Sequence, residues 1–166
     1  MRLFVASSVV MPEYANVKND FQECIEAQWV TEEQLHLTWV FLGEQPDAKP
    51  FMDMLSKMSA MKEKTVLRSL GYFGRPPRVL YVKGCSKQLF EKAKEFEKSG
   101  FNLDRFKPHV TLCRIKRVLD REVFREKVKA YEKRELGVLL TDITLYKSVL
   151  TDRGAIHTKL FSITGQ

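Results

Sequence analysis

Two segments of this 166-residue chain carry the same three-residue pattern, and both have the apolar surroundings of a β-strand. His36-Leu37-Thr38 lies in residues 34–43, and His109-Val110-Thr111 lies in residues 106–114. Side chains i and i+2 of a strand share one face. Each pattern therefore places an imidazole beside a hydroxyl on one face of the strand, and the neighbouring apolar side chains lie on the opposite face. The chain has only three histidines, and two of them are used in this way.

The surrounding elements also repeat. Hydrophobic periodicity and capping residues predict the order strand, helix, His-x-Thr strand, helix, strand in each half of the chain. In the first half we expect strands at 2–10, 34–42 and 65–73, a helix from Pro12 to Ile25 and a helix at 48–62. In the second half we expect strands at 78–84, 107–115, 138–150 and 155–164, and helices capped by Ser86 and Asp120.

The offsets between matching features are nearly equal. His36 and His109 are 109 − 36 = 73 residues apart, and Arg2 and Arg78, which begin the first strand of each half, are 78 − 2 = 76 residues apart. The repeated order suggests an internal duplication with a pseudo-two-fold axis, which would bring the two motifs together. We therefore predict a single domain over 1–166, built from halves at roughly 1–74 and 75–166.

Charge and cysteine content narrow the class of protein. The formal charge of +7 and the pI of about 9.3 favour an anionic partner such as nucleic acid. Three widely spaced cysteines argue against a disulfide framework or a zinc site and fit a reducing, cytoplasmic setting. No apolar run is long enough for a signal peptide core or a membrane span, so we expect no membrane association.

Paired imidazoles suggest proton transfer. Imidazole titrates near pH 6.5, so one ring can accept a proton while the other donates one. The threonine hydroxyls could hold the oxygens of a phosphate and stabilise a pentacoordinate phosphorus. The alternative is that both histidines are half-buried strand residues that only satisfy backbone groups. One motif alone would favour that alternative, but the matched pair favours phosphoryl transfer without a metal.

Several segments resemble a known family, the 2H phosphoesterase superfamily and within it the RNA 2′,3′-cyclic phosphodiesterases, also called 2′-5′ RNA ligases. The two motif blocks carry the resemblance, and supporting segments extend it over nearly the whole chain. The similar segments are Met1–Phe4, Trp29–Glu44, Arg78–Val82, Pro108–Arg114 and Leu145–Ala155.

The resemblance implies an α+β fold with two pseudo-symmetric lobes of antiparallel sheet, flanked by helices around a central cleft. It implies His36 as proton donor, His109 as proton acceptor, and Thr38, Thr111 and Arg114 as phosphate-binding residues. No metal or cofactor is implied. The substrate would be RNA with a 2′,3′-cyclic phosphate end, hydrolysed to a 2′-phosphomonoester, with reverse 2′-5′ ligation at the same site. We expect a cytoplasmic monomer without a protein partner.

Two alternative functions stay open on the sequence. The same site could hydrolyse small cyclic phosphates, such as a mononucleotide or an ADP-ribose cyclic phosphate. The chain could also be a module that binds RNA ends without chemistry, although two intact motifs argue against this. Residues 114–134 contain nine basic and four acidic residues, which mildly favours a polymer substrate. For most of those residues the solvated face of a helix is the better interpretation.

Residues near the motifs give further expectations. Alternation places Trp39 and Phe41 in the core, and it also points Arg114 away from His109 unless the strand bulges or ends near Cys113. Tyr72, Phe73 and Arg75 are candidates for contacts at the cleft rim, with core packing favoured for Phe73. His157 stands where the resemblance leads us to expect an aromatic residue, often Tyr, and we predict an exposed or half-buried strand histidine.

Overall fold

The computed structural model describes residues 1–165, which form an antiparallel sheet with four α-helices packed against it. In chain order the elements are β1 (Arg2–Val10), α1 (Tyr14–Phe21), β2 (Ile25–Trp29), β3 (His36–Glu44), α2 (Lys49–Ser56), β4 (Thr65–Phe73), β5 (Val79–Gly84), α3 (Lys87–Lys98), β6 (His109–Val118), α4 (Arg121–Ala130), β7 (Glu135–Leu139), β8 (Ile143–Thr151) and β9 (Gly154–Ile163). The predicted α+β class is confirmed.

Two groups of strands make up the sheet. One is centred on β1, with β3 and β8 as its neighbours and β9 beyond β8. The other is centred on β5, with β4 and β6 as its neighbours and β2 beyond β6. The groups meet where β3 pairs with β6, and again through β7, which pairs with both β1 and β4.

The two sequence halves are interleaved in this sheet. β4, from the first half, pairs with β5, and β8, from the second half, pairs with β1. Each group of strands is therefore completed by the other half of the chain. The division near residue 74 stays a prediction about an ancestral duplication.

Helix caps and apolar faces follow the sequence closely. The side chain of Ser86 accepts a hydrogen bond from the backbone N–H of Gln88, and Asp120 accepts one from Val123. Buried side chains of α3 include Leu89 and Phe96, so this helix buries its apolar stripe against the sheet. Both capped helices are confirmed.

Three predicted boundaries are wrong. The first helix ends at Phe21 instead of Ile25. Ile25 instead begins β2, because its strand pairing with Val118 of β6 prevails over the helical spacing of the apolar residues. The helix predicted at 48–62 ends at Ser56. The single strand predicted at 138–150 is two strands, β7 and β8, separated by a turn. In that turn the carboxylate of Asp142 accepts a hydrogen bond from the backbone N–H of Ser8.

Within residues 1–165, no helix has the length and apolar character that crossing a bilayer requires.

Candidate active site

The two His-x-Thr strands lie side by side. β3 and β6 are antiparallel and pair through Leu37 and Val110, whose side chains are buried in the core. Continuing this register by one residue in each direction places His36 opposite Thr111 and Thr38 opposite His109. Residues opposite one another in such a pair have Cβ atoms roughly 5 Å apart. The structure thus brings both imidazoles and both hydroxyls together on one face of the sheet, which we call the site face.

Each imidazole is held by a backbone carbonyl in the same way. The Nδ1 atom of His36 is 2.6 Å from the carbonyl oxygen of Gln34, and that of His109 is 2.7 Å from the carbonyl oxygen of Lys107. A carbonyl oxygen only accepts, so Nδ1–H is the donor in both rings. Each neutral ring therefore keeps the lone pair on Nε2, which is the atom left to take or give a proton.

Aromatic side chains wall the site at both histidines. The ring of Phe4 lies 5.2 Å from the ring of His36 and stacks on Tyr146 at 5.1 Å. On the other side the ring of Phe73 stands perpendicular to that of His109 at 5.1 Å, with Tyr81 at 5.4 Å. Phe73 is thus half-buried on the site face, and the prediction that favoured core packing for it is wrong.

Burial dominates the electrostatics of His36. The loss of water around the ring lowers the pKa of His36 below its usual value, and the hydrogen bond to the Gln34 carbonyl opposes this effect. Charge on His157 and His109 would lower this pKa further. In the free protein the imidazole of His36 therefore favours its neutral form near pH 7, and an anion in the cleft would favour the imidazolium.

A β-bulge turns Arg114 towards the site face. On β5, Tyr81 pairs with Thr111 and Leu80 pairs with Cys113, which leaves Leu112 as an extra residue on β6. Leu112 and Cys113 are both buried, so alternation shifts by one and Arg114 returns to the side of Thr111. Its side chain is exposed. The structure thus contains the bulge that a phosphate contact by Arg114 requires.

Hydrogen bonds hold that bulge in place. The carbonyl oxygen of Leu112 accepts a bond of 2.9 Å from the backbone N–H of Val30 and one of 3.0 Å from the hydroxyl of Tyr14. The single hydrogen of the Tyr14 hydroxyl is shared between this carbonyl and that of Val30. The carbonyl that the bulge takes out of the β5–β6 ladder is therefore satisfied, as a buried polar group needs to be.

A matching bulge occurs on β3. Thr38 pairs with Ala6 and Val40 pairs with Val5, so Trp39 is the extra residue. Trp39 and Val40 are both buried, whereas Phe41 is 75% exposed. Trp39 is in the core as predicted. The prediction that Phe41 lies in the core is wrong, because the bulge returns it to the site face, 6.2 Å from the ring of Phe4.

The third histidine also lies at the site. The ring of His157 on β9 is 5.5 Å from the ring of His36, at an angle of 89°, and 4.9 Å from that of Phe4. It is half-buried, as predicted, and burial lowers its pKa. The sequence did not reveal its place beside His36, because that depends on the pairing of β9 with β8 and of β8 with β1.

The fold and the sequence both match characterised proteins. The crystal structure of a Thermus thermophilus protein superposes with a TM-score of 0.71 at 26% identity, covering 98% of this chain and 97% of that one. The structure of Escherichia coli LigT complexed with NADP+ also gives a TM-score of 0.71, at 20% identity over 99% of this chain and 98% of that one. The latter likeness, at this identity, shows the fold alone.

Sequence comparison decides the family. Residues 82–157 match the LigT-like phosphoesterase family model. The RNA 2′,3′-cyclic phosphodiesterase of Methanocaldococcus jannaschii is 30% identical over 95% of this chain and 96% of its own length. The protein of the same name from Aquifex aeolicus is 30% identical over 93% and 90%. The chain belongs to the LigT-like 2H phosphoesterases.

In this LigT-like phosphoesterase, the strand opposite His36 is bonded to the turn that carries Asp142. Ser8 lies opposite His36 on β1, and its backbone N–H and hydroxyl donate to the two carboxylate oxygens of Asp142 at 3.1 and 3.0 Å. A third donor, the hydroxyl of Thr144, reaches the same carboxylate at 2.9 Å. Among the described residues 1–165, no three His, Cys, Asp or Glu side chains are grouped so that they could hold a metal ion.

Proposed function

We propose that this protein hydrolyses RNA 2′,3′-cyclic phosphate ends to 2′-phosphomonoesters by metal-independent general acid and base catalysis. The observation that carries the proposal is the pairing of the two motifs. Two imidazoles with the same Nδ1–carbonyl bond lie on one face, each opposite the threonine of the other motif. Membership of the LigT-like family and the name shared by its relatives from two organisms support the same reaction.

The proposed chemistry uses one proton transfer at each histidine. Nε2 of His109 accepts a proton from water as the water oxygen attacks phosphorus. The bond from phosphorus to the 3′ oxygen breaks, and Nε2 of His36 gives its proton to that oxygen. The 2′ oxygen keeps the phosphate. Water thus adds a hydroxyl group to phosphorus. His109 gains the proton that water loses, and His36 loses the proton that the leaving group gains, so the number of protons on the two rings does not change.

The remaining site residues would stabilise charge. The hydroxyls of Thr38 and Thr111 donate to the non-bridging oxygens of the phosphate, and the guanidinium of Arg114 contributes positive charge on the same face. The same anion stabilises the imidazolium of His36 against its burial. Protonation of His36 is thereby coupled to substrate binding, so the acid is charged when it is needed.

Ligation fits the same geometry. If the 5′ hydroxyl of a second RNA replaces water, the same proton transfers form a 2′-5′ phosphodiester. The proposal also includes a monomeric, cytoplasmic protein whose partner is RNA, working without a cofactor.

Product analysis tests the proposal most simply. The protein is incubated in excess chelator with a short RNA that ends in a 2′,3′-cyclic phosphate, and the product isomer is identified. We expect a 2′-phosphate and full activity with chelator. A 3′-phosphate product, or loss of activity on chelation, would contradict the mechanism. Binding without turnover would favour a module that only captures RNA ends, and turnover restricted to small cyclic phosphates would remove RNA as the substrate.

A further inference from the structure

A groove lined by three arginines lies at the outer end of β4 and β5, where the turn between these strands faces the start of α4. Its lining includes Tyr72, Arg75, Arg121, Phe124 and Arg125. Among residues 1–165, no acidic side chain contributes to this lining. The groove is therefore strongly electropositive.

The positive charge of the groove is uncompensated. Arg121 and Arg125 are one helical turn apart on α4, and like charges at this spacing destabilise a helix slightly. In the part of the chain that the structure describes, neither they nor Arg75 takes part in an ion pair. Two nearby basic residues differ, since Lys127 pairs with Asp20 at 2.8 Å and Arg117 pairs with Glu26 at 3.2 Å. The three groove arginines are therefore available to meet an external anion.

An aromatic ring accompanies the arginines. Tyr72 is half-buried, and its ring packs edge-on against Phe124 of α4 at 5.3 Å. Guanidinium groups beside an accessible aromatic ring are the combination that binds single-stranded nucleic acid, by backbone charge and base stacking together. A small inorganic anion would use the charge but not the ring.

A single turn joins the groove to the active site. The turn that carries Arg75 joins Phe73, which contacts His109, to Val79, which pairs with Arg114. Arg75 is two residues beyond Phe73, within the turn that begins at Gly74. An RNA strand that leaves the site past Arg114 would pass Arg75 at this turn before it reaches α4 on the other face of the sheet, where the ring of Tyr72 packs against Phe124.

We propose that this arginine groove binds the single-stranded RNA that precedes the cyclic phosphate end. The inference rests on the proposed function and adds to it, because it identifies a polymer subsite that a cyclic mononucleotide does not reach. The groove gives the protein a preference for RNA chains over small cyclic phosphates, without contributing to the chemical step.

Charge reversal on α4 tests this subsite. In the variant Arg121→Glu/Arg125→Glu, both changes lie at exposed positions, and an acidic residue in the first helical turn is favoured by the helix dipole, so the variant is expected to fold. The control is Lys94→Glu/Lys98→Glu on α3, which makes the same change in net charge at exposed positions away from the groove. Turnover is measured with a cyclic mononucleotide and with an RNA of about ten nucleotides that ends in the cyclic phosphate.

We expect kcat/KM for the RNA to fall at least about tenfold in the α4 variant, while kcat/KM for the mononucleotide stays within about twofold. The slope of log(kcat/KM) against log[salt] should become shallower by roughly 1.4, because two phosphate contacts of a single strand are lost. Equal losses on both substrates, an unchanged RNA value, or the same loss in the α3 control would each overturn the proposal.

Direct binding separates failure of the groove from failure of the proposed function. Fluorescence anisotropy with the same labelled RNA measures affinity whether or not the RNA is cleaved. If the wild-type protein turns over neither substrate, the proposed function fails, while weaker binding in the α4 variant alone would still support the groove. Equal affinity of the wild-type protein and both variants would exclude the groove as an RNA subsite.

Discussion

Phe41 and Arg114 occupy equivalent positions in the two halves of the site. Each lies five residues after the histidine of its motif, and each is returned to the site face by one extra residue in the strand, Trp39 on β3 and Leu112 on β6. The duplicated motif thus extends beyond His-x-Thr to a pair of bulges. One bulge presents an exposed aromatic ring, and the other presents a guanidinium.

The bulge on β3 predicts a large difference in stability between two neighbouring aromatic residues. Trp39 stacks between Phe96 and Phe106 at 5.2 and 5.3 Å, and its indole N–H donates to the hydroxyl of Ser7 at 2.8 Å. Trp39→Ala should lower the free energy of unfolding by about 3–5 kcal/mol. Phe41→Ala should lower it by less than about 1 kcal/mol, because most of its ring is already in water. Urea denaturation measures both, and similar losses in the two variants would mean that Phe41 is buried.

Arg114 provides the second prediction. Because the bulge directs it to the site face, Arg114→Ala should lower kcat/KM for the cyclic phosphate by at least about tenfold, with little change in stability. Arg117 is the matched control, since it lies on the same strand and pairs with Glu26 at the surface. Arg117→Ala should leave kcat/KM within about twofold of the wild type. An effect of equal size in the two variants would place Arg114 outside the site.

The half-buried imidazoles of His36 and His157 make stability depend on pH. Burial lowers the pKa of both His36 and His157 in the folded protein, below the value of about 6.5 in the unfolded chain. At a pH between the folded pKa values and about 6.5, the unfolded chain binds more protons than the folded protein does. The free energy of unfolding should therefore fall as the pH decreases from about 6.5 through the folded pKa values. Urea denaturation of His157→Gln should show a smaller decrease over that range. An identical pH dependence in variant and wild type would contradict this account of His157.

His157 also affects the acid that we propose for catalysis. If His36 is the proton donor, the alkaline limb of the profile of kcat/KM against pH reports its pKa in the free enzyme. Burial lowers that pKa most, and charge on His157 adds to the effect. His157→Gln should therefore move the alkaline limb to higher pH. Tyr146→Phe, a change of the same aromatic wall without a change of charge, is the control and should leave the limb in place. A limb that stays fixed or moves to lower pH in the histidine variant would exclude this coupling.

The fold and the four central residues could be predicted because their signals are local and periodic. Alternation within each His-x-Thr strand gave the shared face of imidazole and hydroxyl, and Ser86 and Asp120 marked helix starts through their capping side chains. The repeated order of elements indicated that the strands would meet, and β3 pairs with β6 at Leu37 and Val110.

Other parts of the site depend on tertiary pairing and could not be predicted in the same way. Simple alternation fails after Trp39 and after Leu112, because a bulge shifts every later side chain to the other face. The bulge on β6 is held by Tyr14 and Val30, which lie far from it in sequence. The place of His157 beside His36 requires two strand pairings that no local pattern encodes.

Single-turnover kinetics of His36→Ala and His109→Ala test the central claim most directly. The substrate is RNA that ends in a 2′,3′-cyclic phosphate, the buffer contains excess chelator, and RNA affinity is measured in parallel. If the two imidazoles act as acid and base, each variant loses at least about 10²-fold in the rate of the chemical step with only a modest loss of affinity. Turnover that is unchanged in both variants would contradict catalysis by the two histidines.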